Sequence, residues 1–169
     1  MEKIHFDCDY MAGAHPEILR RLTETNLFKT AGYGYDDYTR SAEKLILKEC
    51  GLTQGRVHFL VGGTQTNATV IDGLLHQYEG VIATEFGHVN VHESGAIEAS
   101  GHKVLTLPAH NGKIDAKELK QYITDFYRDD TWQHMVQPGM LYISHPTELG
   151  TLYSLRELEE ISTVCHENN

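Results

Sequence analysis

The chain has no apolar run approaching the roughly 20 residues that a membrane-crossing helix needs, and no CxxC pair among its cysteines, Cys8, Cys50 and Cys165. The first absence excludes a helical membrane span. The second, with an odd and widely spaced set of thiols, argues against a disulfide framework and for reduced, buried cysteines in a cytoplasmic protein. Basic residues are also scarce, 14 against 24 acidic ones for a net charge of -10, and the longest basic run is Arg20-Arg21. That argues against a nucleic-acid or anionic-membrane surface as partner, while one local pocket remains free to oppose the global charge. The opening MEKIHFDCDY is charged from its second residue and lacks the apolar core of a signal peptide. Internal repeats and low-complexity tracts are absent as well.

What is present suits one domain with a real core: 169 residues, 40% of them apolar. Strand-like and helix-like segments alternate. HPEILRRLTE opens with a proline suited to a first helical position, and TRSAEKLILKECG carries Ala42, Leu45 and Ile46 before a helix-stopping Gly51. VHFLV, residues 57 to 61, reads as a short strand, and TQTNATVIDGLLHQ places Ala68, Ile71, Leu74 and Leu75 on one helix face. GVIATE and HKVLTLPA read as strands flanking the small-residue-rich HVNVHESGAIEASG, helical in part. HNGK, at residues 110 to 113, reads as a turn. DAKELKQYITDFY, with Leu119, Tyr122, Ile123 and Phe126 at helical spacing, starts on a capping-like Asp115-x-x-Glu118. MLYIS is a further strand, and Ser154-x-x-Glu157 opens a last helix whose stripe is Leu155, Leu158, Ile161 and Cys165. This order implies an α/β fold with a mostly parallel sheet, whose ligands bind beyond the carboxyl ends of the strands. VGGTQTN, TEFGH and SHPTELG all occupy that position.

VGGTQTN, residues 61 to 67, is glycine-rich and feeds a helix, so its backbone N–H groups suit an anion, phosphate above all. It is neither a GxxxxGK[ST] loop nor a GxGxxG fingerprint, which leaves a lone phosphate monoester as the better fit. An ordinary turn with Thr64 as N-cap is the plain alternative. His88 and His92 stand at i,i+4 with Glu93 beside them. They can be read as a pair of metal ligands, as a flat histidine stacking on a planar ring, or as structural histidines. No third ligand announces itself, and no metal is expected. GYGYDDYT, residues 32 to 39, offers tyrosines for a ligand, a subunit contact or plain packing.

Taken together, DYMAGAHPEIL, GYGYDDYT, VHFLVGGTQTN, GHVNVHESGAIEASGHKV and YISHPTELGTLYSLRELEEI resemble the N-terminal half of the low-specificity L-threonine aldolases, in the β-eliminating lyase group. These are pyridoxal 5'-phosphate (PLP) enzymes of fold type I. The resemblance implies a partial large domain over residues 51–169, preceded by an N-terminal helical arm over 1–50. It implies that Gly63, Thr64, Gln65 and Asn67 hold the cofactor's phosphate. It further implies that His88 stacks on the ring and takes part in proton transfer, that Glu93 supports the site, and that Tyr33 approaches it across a dimer interface. Some members carry Asn-Thr-His where this chain has Pro146-Thr147-Glu148, which makes Glu148 the candidate base for a substrate hydroxyl. The expected substrate is a small amino acid, and the expected assembly a homodimer or homotetramer. Other fold type I chemistry, β-elimination or transamination, is the alternative.

In the family an Asp-Gly-Ala-Arg strand and a later lysine complete the cofactor site. This chain has no such tetrapeptide, and none of Lys3, Lys29, Lys44, Lys48, Lys103, Lys113, Lys117 and Lys120 stands in the context of that lysine. The expectation is therefore the N-terminal half of a longer enzyme, inactive by itself.

Overall fold

The computed structural model describes residues 3–5, 8 and 10–168. Asp9, which opens the first resembling stretch, and Asn169, the last residue, lie outside these. The chain forms two compact units, Met1–His58 and Phe59–Asn169.

The first unit holds helices α1 (Pro16–Thr25) and α2 (Asp37–Glu49). Pro16 sits where a missing N–H costs nothing, and the His15 side chain caps the Glu17 N–H. Asp36 caps α2, accepting from the Thr39 amide at 2.9 Å and its hydroxyl at 2.7 Å. These bonds hold the Asp36 carboxyl below its usual range. Gly51, at φ 67°, closes the helix as its sequence position suggests. No described residue of this unit is buried, and the apolar Leu45 and Ile46 of α2 are exposed.

The second unit is built on three parallel strands, β1 (Glu79–Thr84), β2 (Val104–Leu107) and β3 (Gln137–Leu141), in the order β2-β1-β3. Side chains alternate across this sheet and give it two apolar faces. Ile82, Leu105 and Leu107 pack with Leu119 and Ile123 of α6 (Ala116–Arg128) and with Ile161 and Val164 of α7 (Leu155–Glu167). Val81, Ala83 and Val104 pack on the other face with Ile71 of α3 (Gly63–Leu74), Val89 of α4 (His88–Val91) and Ile97 of α5 (Ala96–Ala99). The helical stripe of α6 is as the periodicity predicts. Two end residues are not: Leu74 is 71% and Leu155 73% exposed, because each lies at a helix terminus where the stripe has rotated off the sheet.

One expected strand is absent. Residues 57–60 carry no strand pairing, and among the described residues none of their backbone groups joins a backbone hydrogen bond. A strand exists only by pairing, and the apolar pattern alone cannot supply the partner.

Candidate active site

Chain order decides where a ligand belongs. From β1 the chain passes through α4 and α5 to β2 on one side, and β3 then adds on the other. The carboxyl ends of β1 and β3 therefore flank a topological switch point, the preferred crevice of open α/β sheets.

After β1 the chain turns at Gly87, whose N–H bonds to the Thr84 carbonyl at 2.9 Å. A Cβ there would lie 3.0 Å from that carbonyl and 3.1 Å from the Ala83 Cβ, so glycine alone permits so tight an exit. It delivers His88 to the first position of α4. After β3, Ser144 and Glu148 come to the same place. The Glu148 Oε1 accepts the His88 backbone N–H at 2.8 Å and the Ser144 hydroxyl. The loop bearing Glu148 is itself pinned. Buried Thr147 sits against Gly112 of the 110–113 turn, and the Thr151 hydroxyl donates to the Asn111 carbonyl at 2.6 Å.

Glu93 is the buried centre of the site, 4% exposed. Its Oε1 lies 2.8 Å from His88 Nδ1 and accepts the Asn67 side-chain amide at 2.5 Å. Its Oε2 is buried with no hydrogen-bond partner. Ser94 (φ 52°) and Gly95 (φ 74°) then reverse the chain into α5, a left-handed pair immediately after the buried carboxylate. The His88 side chain remains 47% exposed, and its ring centroid lies 5.4 Å from that of His92, tilted by 49°. Among the described residues, no group of three or more His, Cys, Asp or Glu is placed to hold a metal ion.

VGGTQTN forms the start of α3. Gly62, not Thr64, is the N-cap, and no side chain caps the helix. Gln65 Oε1 accepts the Val61 N–H at 2.9 Å, and the Thr66 hydroxyl donates back to the Gly62 carbonyl at 3.0 Å. Neither reaches the N–H groups of Gly63 and Thr64, and a Cβ on Gly62 or Gly63 would meet nothing within 4 Å. The positive end of α3 is therefore open.

Sequence reasoning thus named residues that the structure brings together in two clusters: the α3 turn, and His88 with Glu93 and Glu148. Asn67, in the second turn of α3, joins them through Glu93. Tyr33 belongs to the other unit, where it is fully exposed at φ 61°. Ser144 and Tyr142, whose hydroxyls lie 3.5 Å apart, were missed. Their alternate positions in YIS, just past the strand, put them on one side of the chain and were the available signal.

This parallel sheet with flanking helices is a partial fold type I α/β domain. The chain belongs to the beta-eliminating lyase family, whose profile matches residues 6–169. It is similar to the low specificity L-threonine aldolase of Pseudomonas sp. (strain NCIMB 10558), 30% identical over 168 residues, 96% of this chain and 46% of that one. The enzyme of the same name from Pseudomonas aeruginosa is 30% identical over 164 residues, again 96% and 46%. A solved threonine aldolase structure from Leishmania major superposes with a TM-score of 0.88 at 43% identity, covering 94% of this chain and 45% of that one. The chain spans about half the length of the curated relatives it matches. The family is one of PLP-dependent lyases and aldolases. No helix among the described residues is long and apolar enough to cross a membrane.

Proposed function

We propose that this chain supplies the phosphate cup and the ring-facing histidine of a PLP-dependent lyase. In the intact enzyme it cleaves the Cα–Cβ bond of β-hydroxy-α-amino acids, taking threonine or allo-threonine to glycine and acetaldehyde. The observation that carries the reading is Glu93 Oε1, shared by Asn67 and His88. Through it the open helix start and the histidine face form one fixed unit.

The residues fit the cofactor. The α3 turn offers uncapped N–H groups beside two glycines with open space, which suits a phosphate monoester at a helix N-terminus. The first turn of α3 carries no acidic residue to oppose it. PLP, when bound, supplies the sink for the electron pair released from the breaking bond. Here Gly63, Thr64 and Gln65 bind the phosphate, His88 covers the ring, and Glu93 holds His88. Cleavage requires loss of the β-hydroxyl proton, and Glu148 is the group to accept it. Two donors on Oε1 fix its carboxylate at the switch point. The covalent lysine is not among those of this chain, the intact enzyme is cytoplasmic, and it works as a homodimer or homotetramer.

The test is product analysis on the protein expressed from its complete reading frame. Glycine and acetaldehyde are expected from L-threonine or L-allo-threonine. Pyruvate from L-serine, cysteine or tryptophan without acetaldehyde from threonine would replace the aldolase reading with β-elimination. Glu148→Gln is expected to lower kcat/KM by about 10²–10⁴-fold. The 169-residue chain itself, mixed with PLP, is expected to give no borohydride-reducible adduct on a specific lysine.

A further inference from the structure

We propose that Glu93 and Asn67 are positioning residues that fix the tautomer and ring plane of His88, keeping the proton on Nδ1 and leaving Nε2 as a bare acceptor at the open side of the site.

Glu93 is buried, yet both of its hydrogen bonds converge on one oxygen, Oε1, while Oε2 has none. The Asn67 side-chain NH2 only donates, so Oε1 is the acceptor in that bond. On this assignment the same oxygen also accepts from His88, and the 2.8 Å contact to Nδ1 is an N–H donating to Oε1. In a neutral imidazole one nitrogen donates and the other accepts, and the bond made by the first determines the second. Nε2 makes no hydrogen bond among the described residues, and the ring is half exposed, so the lone pair of Nε2 faces outward. A buried carboxylate orienting a histidine by Nδ1 is the same device that holds the base in hydrolase triads.

Asn67 extends the device to α3. It stands 26 residues from Glu93 in sequence, on the helix whose first turn is the phosphate cup. Its amide therefore connects the plane of His88 to that helix. On this assignment Asn67 reaches the cofactor through Glu93 and His88, and the cup itself is made by residues 63–65. A misplaced ring would matter because a half-turn of the imidazole takes the bare acceptor away from the open side, and a tilt of its plane takes away the flat stacking face.

The inference rests on the PLP reading for its use, but the measurement needs no cofactor. Long-range ¹H–¹⁵N correlation spectra of histidine-labelled protein, taken at about pH 8.5 where an ordinary histidine is neutral, report the tautomer of each ring. Wild type is expected to show His88 protonated on Nδ1, with a pyridine-type shift at Nε2. Glu93→Leu, which removes the acceptor, is expected to shift that ratio toward the Nε2–H form. Asn67→Ala is expected to lower the Nδ1–H fraction without inverting it. His92→Gln is expected to leave the His88 tautomer ratio where it is. Wild-type His88 protonated on Nε2 overturns the proposal, and this result stands even where a variant fails to fold. An unchanged ratio in a folded Glu93→Leu overturns it equally, and an unchanged fraction in Asn67→Ala removes Asn67 from it. Absence of PLP binding with the Nδ1–H tautomer intact would instead count against the function proposed above and leave this inference standing.

Discussion

The helices on the two faces of the sheet begin in opposite ways. α7 starts from a closed box: the Ser154 hydroxyl accepts the Glu157 N–H, and Glu157 Oε2 accepts the Ser154 N–H at 2.7 Å. Lys113 adds a 2.7 Å bond to Oε1 from the 110–113 turn. This bond, ahead of the Ser154 donors, lowers the Glu157 pKa to about 2. α3, on the other face, starts from Gly62 with no side-chain cap at all. The remaining long helices of the described residues, α1, α2 and α6, are capped by His15, Asp36 and Asp115. A side-chain cap is typically worth about 1 kcal/mol. A sequence that supplies one at every long helix but α3 has left that stabilisation out at the one start that lies beside the switch point. Local rules broken at a single place mark function more often than error.

That contrast can be broken or sharpened by substitution, with urea denaturation of the purified chain as the measurement. The largest effect is expected on the closed face. Leu119 is 1% exposed, and Leu119→Ala is expected to cost about 2–5 kcal/mol. The tautomer of His88 on the opposite face should stay unchanged wherever the protein remains folded. Next is the turn that reaches from the closed face toward the site. Gly112 sits at φ 82°, and a Cβ would lie 2.7 Å from Thr147 Oγ1. Gly112→Ala is therefore expected to cost about 1–3 kcal/mol and to displace the loop carrying Glu148.

The pH dependence separates the two starts further. The folded pKa of Glu157 is depressed from 4.5 to about 2, so its contribution is present above pH 4.5 and is lost as pH falls toward 2. Stability profiles of wild type and Glu157→Gln are expected to differ above this window and to converge below it. A constant gap down to pH 2 would show that the depression is not there. The smallest change is expected from closing the open start. Gly62→Ser introduces a cap where a Cβ meets nothing, and is expected to add only a few tenths of a kcal/mol. The same hydroxyl competes for the N–H groups proposed to bind phosphate, so PLP affinity of the complete enzyme is expected to fall.

Local pattern carried much of the fold. The α6 stripe, the Ser154–Glu157 box, the Gly51 stop and strands β1 and β2 all rest on spacings of a few residues, which a sequence displays directly; the strand read at MLYIS lies three residues earlier, at Gln137–Leu141, and shares only Met140 and Leu141 with that reading. The exceptions are non-local. Val57–Leu60 has the composition of a strand but no partner among the described residues, and Leu74 and Leu155 continue a periodicity past the point where the sheet ends. The site divides in the same manner. The glycine-rich turn and the His88 loop were legible because backbone chemistry and residue type announce them. The bonds that organise them were not. Asn67 meets Glu93 across 26 residues, and Glu148 meets the His88 amide across 60. Nothing in the intervening chain encodes either encounter; each follows from β1 and β3 being neighbours in the sheet and α3 lying on one of its faces.

The unpaired run at residues 57–60 also bears on how the protein behaves in a test tube. Phe59 and Leu60 are exposed, and Val61 beside them is 95% exposed. Apolar side chains beside backbone groups without a strand partner offer an adhesive stretch that a neighbouring molecule can pair with. Solubility of the isolated chain is therefore expected to be limited by these few residues rather than by its net charge. A single lysine in place of Val61 would raise the concentration at which it clouds, leaving both faces of the sheet as they are.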